Sequence, residues 1–182
     1  WGGRGSLQTL RAAETASQEP PLQGMALMAA FYLNELILNF IRRGDPHPGL
    51  FMAYAEALAE LRQGPDSEPA LRRFELRLLA EAGYGLNLDH DVLNDVALDP
   101  HGSYEYRIEH GPVPAEAGQA ALVLSGLTLL AISRGELTDP GVLQSAKRLL
   151  RGVLAHYLDG RTLRTRQVLA SMRRAPAVSQ LS

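Results

Sequence analysis

Apolar residues recur at helical spacing along most of the chain, and this periodicity predicts a protein built mainly from α-helices. Three helices are predicted in the first half of the chain, over residues 25–42, 49–61 and 69–82. Gly44 and Gly83 follow the first and third of them, as is common where a helix ends. Each segment carries a broad apolar face, which favours packing of the three helices into a bundle.

Two capping residues mark the helices of the second half. Ser125 precedes a predicted helix over residues 126–134, and its hydroxyl can accept a hydrogen bond from the first turn. Asp139 and the following proline begin the longest C-terminal helix, which Asp159 and Gly160 end. A last short helix is predicted over residues 163–172.

Between these two groups of helices the pattern changes. Residues 86–102 are polar and irregular, which predicts a loop. Residues 104–108 alternate with a period of two, as a strand does, and the following His110-Gly111-Pro112 would form the turn of a hairpin near 103–113. The predicted fold is therefore mainly α, a helical bundle domain over residues 23–182 with a small inserted β-hairpin.

Residues 1–22 differ from the rest of the chain, being rich in glycine at one edge and proline at the other. They predict one strand and a linker, which is too little to fold alone. The strand has no predicted partner, so its sheet is expected upstream of Trp1.

Composition narrows the possible chemistry. The chain has no cysteine, which excludes a disulfide framework, a thiolate zinc site and a cysteine nucleophile. With 46% hydrophobic and 21% charged residues it has an ordinary globular composition, and no apolar run approaches the length of a membrane span.

The net charge is only −2, but acidic and basic residues are distributed unevenly along the chain. Residues 67–146 contain 5 basic and 12 acidic side chains, whereas residues 147–182 contain 8 basic and 1 acidic. Such a basic end indicates an anionic partner, or else it neutralises the acidic middle within the fold. Guanidinium groups pair bidentately with phosphate, which makes this end a candidate for contact with a nucleic-acid backbone. The candidate cations are Lys147, Arg148, Arg151, Arg161, Arg164 and Arg166.

A second candidate site lies on the third predicted helix. Arg72, Arg73 and Arg77 lie mostly off its apolar stripe. An apolar groove edged by arginine suits a peptide that ends in acidic and hydrophobic residues. Core packing beneath a charged outer face explains the same pattern, and from the residues alone it is the better explanation.

Catalysis has little support in the sequence, which contains no nucleophile elbow, phosphate-cradling loop or paired-carboxylate motif. His90, Asp91, His101 and His110 offer a metal-binding alternative, since imidazole and carboxylate both ligate zinc or manganese. Their spacing matches no metal motif, and solvated loop histidines explain them better. The chain is therefore expected not to be an enzyme.

Several motifs, taken in order, resemble the RecO family of bacterial recombination mediators. The strongest are Leu71-Arg72-Arg73-Phe74-Glu75 and Gly83-Tyr84-Gly85. Further motifs occur along the chain in the order in which the family has them: Gly2-Gly3-Arg4-Gly5, Phe31-Tyr32-Leu33-Asn34-Glu35-Leu36, Asp45-Pro46-His47-Pro48, Tyr104-Glu105-Tyr106-Arg107, Lys147-Arg148-Leu149-Leu150 and Tyr157-Leu158-Asp159-Gly160-Arg161. The resemblance extends over nearly the whole chain.

The resemblance implies an N-terminal OB-fold followed by a helical domain, with residues 1–22 as the last strand of the OB-fold and a linker. Most of that barrel would then be missing. Many family members carry a four-cysteine zinc element after the Gly-Tyr-Gly motif, where this chain has an aspartate-rich loop. We therefore expect no zinc and no other cofactor, as in the cysteine-poor branch of the family.

The resemblance also implies a function without bond chemistry. Such proteins bind single- and double-stranded DNA, anneal strands, engage RecR and the acidic tail of the single-stranded-DNA-binding protein, and help to load RecA. This implies a cytoplasmic, nucleoid-associated protein with no membrane partner. The resemblance implies that the peptide is bound by Arg72, Arg73 and Arg77, of which Arg72 is the strongest candidate. It implies that DNA is contacted by Arg4, Arg11, Lys147, Arg148, Arg151, Arg161, Arg164 and Arg166. The alternative is a helical protein-interaction scaffold that never touches DNA directly.

Overall fold

The computed structural model of the chain describes residues 12, 19–64, 68–116 and 122–168. Its helices are α1 (Gly24–Phe40), α2 (Pro48–Gln63), α3 (Glu68–Glu81), α4 (Gly126–Ser133) and α5 (Pro140–Tyr157), and residues 164–168 are also helical. Its strands are β1 (His90–Asp91), β2 (Val96–Ala97), β3 (Ser103–Arg107), β4 (Gly111–Pro114) and β5 (Val123–Ser125). The prediction of a mainly helical domain with a small β insertion is confirmed.

Helix α3 lies in the middle of the bundle and packs against α1, α2 and α5. Phe74, Leu78 and Leu79 are almost completely buried there, together with apolar residues from the neighbouring helices. Because α3 has neighbours on several sides, burial extends beyond one apolar stripe, and the polar Arg72 and Glu75 are buried as well. The expectation that all three arginines of α3 lie off its buried face is therefore wrong for Arg72.

The predicted caps are present in the structure. The Ser125 hydroxyl accepts from the Thr128 amide at 3.1 Å, and the Asp139 carboxylate accepts from the Val142 amide at 2.9 Å. Helix α3 ends as predicted at Gly83, whose φ of +84° is a conformation that glycine adopts without a Cβ clash. Helix α1 ends two residues earlier than predicted, because Ile41 is already extended.

The β insertion is larger than the single hairpin that was predicted. Strand β3 is the centre of a three-stranded antiparallel sheet of order β4-β3-β5, in which Tyr104 lies opposite Pro114 and Leu124. The β3–β4 turn consists of residues 108–110, so Gly111 and the following Pro112 belong to β4 and not to the turn. The turn therefore lies two residues earlier than predicted, while the predicted hairpin is present.

Residues 86–102 are also more regular than the predicted loop, since they contain the antiparallel pair β1–β2. The turn between these strands is held by the Asp91 carboxylate, which accepts from the amides of Leu93 at 2.9 Å and Asn94 at 3.2 Å. Such turns need only a short polar side chain, which a hydrophobic pattern does not reveal.

Most residues at the two ends of the chain lie outside the described ranges. Residues 1–11 and 13–18 carry most of the predicted OB-fold strand and linker, and residues 169–172 carry the end of the predicted last helix. Those predictions fall outside the described residues. Across the ranges that are described, no helix is long and apolar enough to cross a membrane.

Candidate functional site

The three arginines of α3 occupy three different environments. Arg72 is 5% exposed and lies inside the bundle. Arg73 is half-exposed and pairs with Glu60 of α2. Arg77 forms an ion pair of 3.0 Å with Glu81, one turn further along the same helix, and keeps 53% of its side chain exposed. They therefore do not form one continuous surface, and Arg77 is the most accessible of them.

Arg72 belongs to a buried polar cluster that includes Glu75 and Tyr32. The Arg72 Nη2 atom and the Tyr32 hydroxyl both donate to Glu75 Oε1, at 2.7 Å and 2.5 Å. Burial raises the pKa of Glu75, against the opposing effects of the Arg72 charge and the Tyr32 hydrogen bond. Burial and the nearby Glu75 carboxylate also raise the pKa of Tyr32. The cluster thus joins α1 to α3 inside the core.

Arg166 extends this cluster to the C-terminal end of the described chain. Its Nη2 atom donates to the Tyr32 hydroxyl at 3.1 Å, and its guanidinium carbon lies 5.5 Å from the centre of the Tyr32 ring. That distance allows a cation–π contact. Arg166 was predicted to contact DNA, but it is only partly exposed and is bound to Tyr32, so it is less available than Arg161 and Arg164.

Glu35 of α1 holds the same C-terminal segment at a second point. Its carboxylate accepts from the Arg164 amide at 2.7 Å, from the Thr165 amide at 3.0 Å and from the Thr165 hydroxyl at 2.5 Å. These amides begin the short helical stretch 164–168 and would otherwise have no helical partner. Partial desolvation raises the pKa of Glu35, but the hydrogen bonds outweigh it and the pKa lies below its ordinary value.

The predicted DNA-binding cations of α5 and the segment after it are mostly accessible. Arg148, Arg151 and Arg161 are exposed, and none of them forms an ion pair with a carboxylate in the described part of the chain. Arg164 is also exposed at its side chain, although its amide is bound by Glu35. Lys147 instead pairs with Glu68 of α3 at 2.6 Å. The two remaining predicted cations, Arg4 and Arg11, lie outside the described residues.

The hypothetical metal site of the β insertion does not assemble. His90 pairs with Asp95 at 3.0 Å, while His110 contacts the backbone carbonyl of Ile108. Within the ranges that the structure covers, no three histidine or acidic side chains lie close enough together to hold a metal ion. His90, Asp91, His101 and His110 therefore do not form the cluster that the metal-binding alternative requires.

A model of the family described as "Recombination protein O C terminal" matches residues 22–167. The chain belongs to the RecO family. Curated relatives named "DNA repair protein RecO" support this assignment. The protein from Nitrosospira multiformis is 46% identical over 171 residues, which are 93% of this chain and 71% of the relative. The protein from Azoarcus sp. (strain BH72) is 44% identical over 94% of this chain and 72% of its own length.

The RecO resemblance predicted from the motifs is thus confirmed, whereas the roles of individual residues stay predictions. Sequence reasoning missed Tyr32, Glu35 and Glu75 as partners of the candidate arginines. Tyr32 and Glu35 lie in one of the family-like motifs and Glu75 in another, but nothing in the local pattern shows that the two motifs meet.

Proposed function

We propose that this RecO-family chain serves DNA repair by binding the phosphate backbone of single- and double-stranded DNA. The observation that supports it is the set of exposed cations on α5 and after it: Arg148, Arg151, Arg161 and Arg164. Phosphate contact by guanidinium groups needs exposure and charge but no sequence readout. In this proposal the protein acts as a mediator and not as an enzyme, and it uses no cofactor.

Salt dependence distinguishes such binding from other modes, because each neutralised phosphate releases counterions. Binding of a fluorescent oligothymidylate and of a labelled duplex should be measured by anisotropy over a range of salt concentrations. The double variant Arg148→Gln with Arg151→Gln is expected to bind about tenfold more weakly and to lower the magnitude of the salt slope by about 1.5–2, since two phosphate contacts are lost.

The matched control is Arg107→Gln, which removes an exposed arginine from β3, where Arg107 lies 3.6 Å from Glu105. It should leave both the affinity and the salt slope unchanged. An equal effect of Arg107→Gln and of the α5 double variant would show that only net charge matters, and the assignment of the site to α5 would fail.

A second candidate function is docking of the acidic, phenylalanine-ending tail of a single-stranded-DNA-binding protein. The observation that favours it is the position of Arg77, whose Nη2 atom lies close to Gly49 at the start of α2, beside the Glu81 carboxylate with which it pairs. Phe51 and Met52 follow there, 70% and 58% exposed. An exposed guanidinium next to exposed apolar side chains suits a ligand with a carboxylate and an aromatic ring.

Arg77→Glu is the sharper test of this docking than a change at Arg72, because Arg72 is buried and its replacement disturbs the fold. Arg77→Glu should weaken binding of a labelled tail peptide about tenfold, whereas Arg134→Glu, an exposed change after α4, should not. Unchanged binding by Arg77→Glu would contradict this placement of the peptide.

The same experiments separate the mediator from the alternative of an interaction scaffold without DNA contact. A scaffold would bind the peptide but not the oligonucleotides. Engagement of RecR, indirect support of RecA and a place in the cytoplasm at the nucleoid are further parts of the proposal that rest on the family.

A further inference from the structure

A pocket of about 330 Å³ lies on the side of the domain formed by the Gly83–Asn87 segment, the β3–β4 turn and the end of α5. Its walls include the rings of Tyr84, Tyr106 and Tyr157 and the side chains of Glu109 and His110. Neither of the two functions proposed above uses this pocket. Among the described residues, no lysine or arginine lines it.

The tyrosine rings of the pocket are fixed by aromatic packing. Tyr84 and Tyr157 are stacked, with ring centres 4.2 Å apart and an angle of 28° between the ring planes. Phe40 also packs against Tyr84 in an edge-to-face arrangement, with ring centres 6.2 Å apart. Tyr84 is nevertheless 41% exposed. Rings that are held in place and remain accessible present the electron-rich faces that attract a cation.

Glu109 supplies a negative charge at the rim of the same pocket. It has a φ of +70°, a left-handed conformation that a non-glycine residue adopts at a cost in backbone energy. Its Oε1 atom lies 3.1 Å from His156 Nε2, whereas Oε2 has no partner in the described parts of the chain. Partial desolvation and the Glu109 charge both raise the pKa of Tyr157, so the carboxylate and the ring share one environment.

The geometry points to a recognition site for an arginine side chain presented by a partner protein, with the guanidinium against the exposed part of the Tyr84–Tyr157 pair and paired with Glu109. A planar guanidinium can stack on a ring and bind a carboxylate at the same time, which the compact ammonium of lysine cannot do as well. A nucleotide fits less well, because its phosphate would approach a carboxylate with no cation in the pocket wall. The pocket volume accepts one side chain and not a folded element.

The experiment titrates the full chain with the peptide acetyl-Gly-Arg-Gly-amide and follows the ring signals of labelled tyrosines by NMR. The controls are the same peptide with citrulline, which is nearly isosteric and uncharged, and with lysine. We expect saturable shifts of the Tyr84 and Tyr157 rings with the arginine peptide, and binding at least about fivefold weaker with either analogue.

Two variants test the role of the carboxylate. Glu109→Gln keeps the size of the side chain, and Glu109→Asn suits the left-handed backbone better, so a folding defect in one is not expected in both. Both should weaken the arginine peptide about fivefold, whereas Glu56→Gln, an exposed change on α2, should not. Equal binding of the citrulline peptide, or unchanged binding in both Glu109 variants, would overturn the proposal. So would ring shifts caused by thymidine monophosphate and not by the arginine peptide.

Discussion

Arginines in α3 and in α5 occur in similar local sequences but have opposite surroundings. Arg72 stands in Leu-Arg-Arg-Phe and is buried beside Glu75, whereas Arg148 stands in Lys-Arg-Leu-Leu and is exposed. The difference comes from the number of neighbours, since α3 packs against three other helices while α5 buries a single stripe. Arg72 is therefore part of the folded core, whereas Arg148 is free to meet a ligand.

The largest expected effect is on the stability of the α3 cluster. Arg72→Met leaves the Glu75 carboxylate buried without its cation, which should lower the free energy of unfolding by about 3–5 kcal/mol. The double variant Arg72→Met with Glu75→Leu removes both charges and should recover most of that loss. Urea denaturation of the unmodified chain, the single variant and the double variant measures the loss of stability and its recovery.

Arg148→Met is the matched change on α5, and it should alter the free energy of unfolding by less than about 0.5 kcal/mol. If Arg72→Met and Arg148→Met had the same small effect, the contrast between the two helices would be wrong. If the double variant at Arg72 and Glu75 were as unstable as the single one, the cluster would stabilise the fold through its packing and not through the pairing of its charges.

An intermediate effect is expected at Glu35, which ties the C-terminal segment to α1. Because its pKa is lowered in the folded protein, its stabilising contribution is complete above the ordinary value of 4.5 and is lost as the pH falls through the lower folded value. The amides of Arg164 and Thr165 should therefore lose their hydrogen-bond signature in NMR spectra as the pH falls through the lowered pKa of Glu35, and not already at its ordinary value.

Glu35→Ala, which removes both acceptor oxygens, should produce the same loss already at neutral pH and remove most of the dependence on pH. Asp45→Asn serves as the control, since Asp45 is an exposed carboxylate in the α1–α2 connection. Persistence of both amide signals in Glu35→Ala would show that other contacts hold the segment, for example the contact between Arg166 and Tyr32.

The smallest expected effect distinguishes two neighbours on α5. Lys147 forms a surface ion pair with Glu68, so Lys147→Gln should cost less than about 1 kcal/mol of stability. The same change should weaken DNA binding less than Arg148→Gln does, because the paired lysine must leave its partner to meet a phosphate. Anisotropy titrations of both variants at one salt concentration test this order.

Most of the helical fold could be predicted because its signals are local. The apolar period, the Ser125 and Asp139 caps and the glycine after α3 each act within a few residues, and the structure confirms all of them. The β insertion was predicted less well. The β3–β4 turn uses Glu109 in a conformation that favours glycine, so the search for turn residues placed the turn two positions too late.

The residues of the candidate site could likewise be predicted only in part. The basic composition of the C-terminal end and the arginines of α3 are visible in the sequence, but the partners of these arginines are not. Tyr32 and Glu75 are 43 positions apart, and Glu35 and Thr165 are 130 positions apart. No local pattern connects such pairs, because their contact depends on how the helices pack.

The sequence by itself determined the helical class, the helix ends and the RecO family, because periodicity, capping and motif order are properties of the chain. Only the tertiary structure decided which arginines are buried, which are exposed and which aromatic rings share a pocket with Glu109. The physical reason is that burial and charge pairing are set by neighbours distant in sequence. The same guanidinium group is a structural element at Arg72 of α3 and a candidate ligand-binding group at Arg77 of α3 and Arg148 of α5.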